Sequence, residues 1–186
     1  MATAYKLFRV NRKSPGNIYP LFVDATTPVI IGAWSDAKEG PTDEDGKVKS
    51  RLGPLCFRPG WHLSDIPLAV HIGEKDDEGN IAYMAHNHVW CECEYSDEVS
   101  YQEEANENGM KNGKLILKNA YIKHIPVNGF YRYKTNPNML GNWIIAGSIN
   151  VLRVLSDEEA SEIVRKNGYE PLPRKNGPLN LSDYGL

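Results

Sequence analysis

The chain is punctuated into short runs of aromatic and β-branched residues, separated by Gly, Pro, Asn or Asp, and this limits what it can fold into. Such runs are too short for amphipathic helices and suit strands that bury one face. Residues 5–10 (YKLFRV), 18–23, 29–34, 55–57, 81–84, 89–95, 115–122, 129–133 and 143–155 all read this way. The last, WIIAGSINVLRVL, alternates around Ile149, Val151 and Val154 and is expected to bend at Gly147. Helix signals are few. Ser156 followed by Asp157, Glu158 and Glu159 is a capping box, opening a helix that stops at Asn167 and Gly168. A shorter helix is expected over 66–72, capped by Ser64 or Asp65, with Pro67 in its first turn and Gly73 at its end. Residues 101–108 (YQEEANEN) fit either a helical turn or a polar loop.

Many strands with two or three short helices predict an α+β fold rather than a doubly wound sheet. At 186 residues and 41% apolar composition the chain can build one core, expected over 1–168, with a Pro/Gly/Asn-rich extended tail at 169–186. Residues 35–51, with five acids followed by three cations, read as a long surface loop. The net charge of −3 gives no global basic field for nucleic acid or anionic lipid. No apolar run reaches the roughly 20 residues that span a membrane. Three cysteines make no disulfide scaffold, and a soluble protein of a reducing, cytoplasmic compartment is expected.

Four groups of residues carry candidate chemistry. His86, His88, Cys91 and Cys93 lie within HNHVWCEC, but strand alternation and the tight spacing favour two core cysteines and two loop histidines over zinc. No metal is expected. Glu103, Glu104 and Glu107 form either a solvated acidic turn or a carboxylate poised beside a sugar cation. Arg9, at the end of the first strand, needs an anionic partner if buried, and a phosphate is one candidate. The segment RPGWHLSDIPLAVHIG (58–73) is a strand–turn corner in which His62 and Ser64 face the same side.

The stretch Gly60-Trp61-His62-Leu63-Ser64-Asp65, followed by Ala69 and His71, resembles the second motif of ADP-ribosyltransferase-like folds. Arg9 in FRV matches the first-strand arginine of that family, which grips the nicotinamide ribose or a phosphate of NAD. With FYRYKTNPNMLGNWIIAG and VLRVLSDEE, residues 5–167 are similar to the ADP-ribosyltransferase-like domains of polyvalent proteins from phages and conjugative elements. The resemblance implies a β-rich split-sheet core with few short helices and NAD as substrate. The nicotinamide–ribose bond would be cleaved and ADP-ribose passed to a macromolecular acceptor, a host protein or nucleic acid. Arg9, His62, Ser64, Trp61 and Asn142 would hold NAD, with Trp61, Tyr131 and Tyr133 available for ring stacking. The family's late-strand glutamate is replaced by Asn142, which can hydrogen-bond a hydroxyl but supplies no charge. Either Glu103 or Glu104 takes the catalytic role, beside His62, or the chain is an inactive nucleotide- or protein-binding module.

Overall fold

The computed structural model describes residues 1–50 and 53–186. In chain order the strands are β1 (Ala2–Val10), β2 (Ile18–Tyr19), β3 (Trp34–Asp36), β4 (Trp61–Ser64), β5 (Glu74–Lys75), β6 (Ile81–Tyr83), β7 (His88–Tyr95) and β8 (Val99–Ser100). They continue with β9 (Met110–Lys111), β10 (Lys114–Leu115), β11 (Gly129–Tyr133), β12 (Trp143–Ala146) and β13 (Ser148–Val154). The helices are α1 (Gln102–Asn108) and α2 (Asp157–Lys166), with 3-10 turns at Leu117–Asn119 and Leu181–Tyr184.

Nine strands form one sheet in the order β3-β13-β7-β1-β4-β12-β11-β8, with β2 added beside β1. Among the described strand pairs of this sheet only β11–β8 is parallel, with one isolated parallel bridge from Ile31 to Val151. The spine is β1 against β7, in register from Ala2 opposite Tyr95 to Arg9 opposite His88. The sheet is strongly curled. Strands four places apart in a flat sheet would be about 19 Å from each other. Yet Trp61 on β4 donates its indole N–H to the Ser35 carbonyl on β3 at 2.9 Å. Likewise the rings of Tyr95 on β7 and Phe130 on β11 are 5.5 Å apart.

The curl separates two cores. Phe8, Leu63, Cys91, Cys93, Ile144 and Val151 point into the concave face, which the C-terminal Tyr184 and Leu181 help to close. Leu7, Trp90, Tyr131, Ile145, Ala105 and Ala160 make the convex core, under α1 and α2. The predicted capping box is present: the Glu159 N–H donates to Ser156 Oγ at 3.1 Å, and the Ser156 N–H donates to Glu159 Oε2 at 2.8 Å. α1 has no side-chain cap, and Gln102 instead exchanges two hydrogen bonds with the Arg132 backbone.

The expected α+β split-sheet core is not what the chain forms. The fold is β-rich: among the described residues there are one continuous mixed sheet, two two-stranded ribbons, and two α-helices of seven and ten residues. The reason lies at Gly147. There the 143–155 run breaks, and its second half crosses to the far side of β7, so both halves join the same sheet. A Cβ on Gly147 would overlap the Pro126 carbonyl, so only glycine lets the chain turn this closely. The helix expected over 66–72 is also absent. Pro67 disfavours helical backbone at Ile66 before it, and the segment holds only short turns closed by Leu68 onto Ile66 and Ile72 onto Ala69.

The C-terminal segment has little regular structure but is firmly attached. The Arg174 guanidinium donates twice to Asp157 at 2.8 Å and to the carbonyls of Ala85 and His88 at 2.6 and 2.8 Å. The Leu179 N–H also donates to Asp157. With Arg174 6% and Asp157 19% exposed, solvent screens this pair little. Burial alone would raise the Asp157 carboxyl, but the hydrogen bonds from Arg174 and Leu179 outweigh it and hold the group below its ordinary range. Its contribution to stability is full above the unfolded carboxylate value of about 3.9 and is lost as pH falls through the lower folded value. Arg174→Ala strands Asp157 and is expected to cost about 3–5 kcal/mol at neutral pH, read as a lowered thermal midpoint. An unchanged midpoint would show that the Arg174–Asp157 pair does not hold the C-terminal segment in place.

Candidate functional site

Strand register places Arg9, His62 and Ser64 on one face. Ser64 lies opposite Tyr5 and Trp143, and His62 lies opposite Ile145. Alternation along β1 carries Tyr5, Leu7 and Arg9 to the same, convex side. The three polar residues nevertheless have separate surroundings. Ser64 is completely buried and its hydroxyl has no hydrogen-bond partner. His62 is half-buried, with Nδ1 3.3 Å from the Gly60 carbonyl and its ring edge-on to Tyr133. Burial, reinforced by the charges of Lys6 and Arg58, lowers its pKa to about 3. The imidazole is therefore neutral at physiological pH. Arg58 completes this group, with its guanidinium 3.8 Å from the centre of the Tyr133 ring.

Arg9 belongs to another neighbourhood. One Nη donates to the Ala25 carbonyl at 2.7 Å, and the guanidinium lies over the Tyr19 ring at 5.2 Å. Among the described residues no carboxylate pairs with it, and its buried Nε has no partner.

The remaining candidates are dispersed. Trp61 faces the concave side, bonded to Ser35. Asn142 donates both its side-chain and backbone N–H groups to Asp65 Oδ2, at 2.8 and 3.0 Å. Glu103 is exposed on α1, while Glu104 is tied to His124 at 2.9 Å. α1 packs against β11, three strand positions or about 14 Å across the sheet from β1. Neither glutamate joins Arg9 or His62. Tyr131 and Tyr133 are buried in the convex core.

Cys91 and Cys93 are buried on the concave face, and His88, by strand alternation, points to the other side. His86 pairs with Glu74 at 3.0 Å. Burial raises both thiols, Cys93 to about 12, so they remain protonated. No group of three metal-ligating side chains occurs among the described residues. No described helix is long and apolar enough to cross a membrane.

Sequence reasoning missed the site's main feature. Around Arg9 lies a cleft of about 630 Å³, lined by Arg9, Arg12, Lys13, Arg174 and Lys175 against only two carboxylates, Glu74 and Asp183. Asp183 is 3.4 Å from Arg12, and Glu74 holds His86. Arg174 is matched by Asp157 and Arg12 by Asp183, so in a chain of net charge −3 the local anion-attracting excess rests on Arg9, Lys13 and Lys175. The signal in the sequence is two short basic segments, NRK at 11–13 and RK at 174–175, which only the fold brings together.

Sequence reasoning also gave no role to Lys6. Its ammonium projects into the concave core, donating to the His62 carbonyl at 2.9 Å and lying 5.3 and 5.5 Å from the Trp61 and Phe8 rings. Burial lowers its pKa to about 8.

Two titrations follow. His62 should show no imidazole titration by NMR between pH 5 and 8, and a midpoint near the ordinary value of about 6.5 would mean that the site is open to water. For Lys6 the unfolded chain holds the proton up to the ordinary value of about 10.5, while the folded state releases it near 8. Between these values the unfolded state binds more protons, so stability should rise with pH. Lys6→Met should flatten that rise in denaturant unfolding. The same rise in the variant would sink the assignment.

No family model, curated protein or solved structure matches the chain, so the chemistry of the cleft is read from its own residues.

Proposed function

We propose that this chain is a nucleotide-binding module, holding the phosphates of NAD or a related nucleotide in the cationic cleft at the end of β1. The observation that carries this reading is Arg9, whose buried Nε lacks a partner and whose guanidinium has no carboxylate among the described residues. A phosphate would supply the missing acceptor, with Lys13 and Lys175 adding charge at the exposed rim. The reading agrees with the family resemblance of the first-strand arginine.

Binding is favoured over transfer because none of the candidate groups for stabilising a sugar cation lines the cleft, and Glu103 is exposed on α1, which packs on β11 three strand positions from β1. Glu104 pairs with His124, and Asn142 is bonded to Asp65. Electrostatic stabilisation needs a group already aimed at the developing charge.

Calorimetry with NAD and ADP-ribose tests the proposal. Both should bind, and Arg9→Ala should weaken them by about 1.5–3 kcal/mol, the value of a charge-assisted contact. The exposed pair Lys13→Glu and Lys175→Glu should weaken binding while leaving the thermal midpoint unchanged. Absence of binding, or unaltered affinity in Arg9→Ala, would refute the module. Release of nicotinamide from NAD, lost in a Glu103→Gln, Glu104→Gln double variant, would restore the transferase reading.

A further inference from the structure

A second cavity, of about 540 Å³, opens on the convex face between α2, residues 67–72 and the C-terminal segment. It is not separate from the cationic cleft. Met84, Arg174, Gly177 and Pro178 line both. Their chemistry differs sharply. The second cavity is floored by Leu7, Trp90, Ile72 and Met84, whereas the first is walled by cations. Leu7 and Arg9 are two residues apart on the same face of β1, so one strand places an apolar floor and a phosphate-binding guanidinium about 7 Å apart.

We propose that this apolar cavity receives the base of the nucleotide whose phosphates occupy the cationic cleft, and that the base is a neutral purine. The inference rests on the phosphate-site reading above and specifies its ligand. A flat ring gains from burial against Trp90 and Met84, which offer an aromatic edge or face and a polarizable sulfur. The cavity lies in the size range of small-ligand sites. Its charges select against a cationic ring. Asp157 is already matched by Arg174, and Glu158 shares the wall with the cation Arg165, so the lining carries no net excess of acid to attract a nicotinamide cation. Arg174 makes four hydrogen bonds within the protein and acts as the partition between the two halves, not as a grip on the ligand.

The test compares ADP with inorganic pyrophosphate on the intact chain, by calorimetry and by tryptophan fluorescence. Pyrophosphate fills only the cationic half. ADP should bind about tenfold tighter or better, and it alone should change a tryptophan signal that Trp90→Phe removes. Ser161→Phe, at the partly exposed mouth of the cavity, should weaken ADP but not pyrophosphate, with the thermal midpoint reporting an intact fold. Equal affinity for the two ligands, or an ADP response unaffected by Ser161→Phe, would overturn the base site while leaving the phosphate site standing. Failure of both ligands to bind would overturn both.

Discussion

Strand β1 cannot keep one partner along both edges, and the rest of the molecule follows from how that is resolved. One edge is paired with β7 over its full length. The other is shared: β4 takes Tyr5, and β2 takes Arg9 and Val10. The sheet therefore forks beside the end of β1. Its pleat sends Leu7 and Arg9 to the convex face and Lys6 and Phe8 to the concave one. An arginine beside a fork need not be covered by a neighbouring strand, so it can border a cleft while its backbone stays in the ladder. Lys6, one residue from Leu7 and facing the opposite way, has no such outlet. It meets a carbonyl and two aromatic rings instead, and its lowered pKa is the consequence.

Curling imposes a second set of requirements. Strands that would be far apart in a flat sheet meet across the concave face, and their polar groups must be satisfied there. Arg132 donates to the Tyr95 hydroxyl at 3.0 Å and lies 3.9 Å from Asp65, which in turn accepts from Asn142. This chain gives a physical reason for an amide at position 142. A glutamate there would set a second carboxylate against Asp65, and like charges at facing strand positions destabilise a sheet. The departure from the glutamate of the resembled family is therefore coupled to the way β4 and β12 are joined.

Legibility in the sequence followed the range of the forces involved. β7, β11, the start of α2 and the break at Gly147 come from local pattern, and residues 88–95, 129–133 and 157–166 formed close to where strand alternation and capping chemistry put them. Residues 115–122 read as a strand by composition but contain a 3-10 turn, and of 18–23 only Ile18 and Tyr19 pair with β1. In both cases the edges available for pairing, which the sequence does not display, decided the outcome. The candidate site was legible only at Arg9. Its other cations come from residues 12–13 and 174–175, more than 160 positions apart, and no local pattern links them. Even the shared face of His62, Ser64 and Arg9, which alternation does predict, gives no common pocket, because side-chain direction is set by what packs above the sheet.

The C-terminal segment has a role beyond filling space. It adds Tyr184 to the concave core, Arg174 to the buried pair with Asp157, and Lys175 to the cationic cleft. A single irregular stretch thus links the core, the cap of α2 and the anion site, and the Arg174–Asp157 pair is the joint among them. Breaking the joint would release Lys175 and the wall shared by both cavities along with the segment. Meanwhile the acids of residues 36–45 lie in a different stretch of the chain, and only Glu74 and Asp183 enter the cleft. Five of the 21 Lys and Arg residues line this one cleft, and the local excess of positive charge draws anions to where Arg9 lies. Such a field acts on the rate of encounter, weakens with salt, and leaves the choice of ligand to the packing behind the charges.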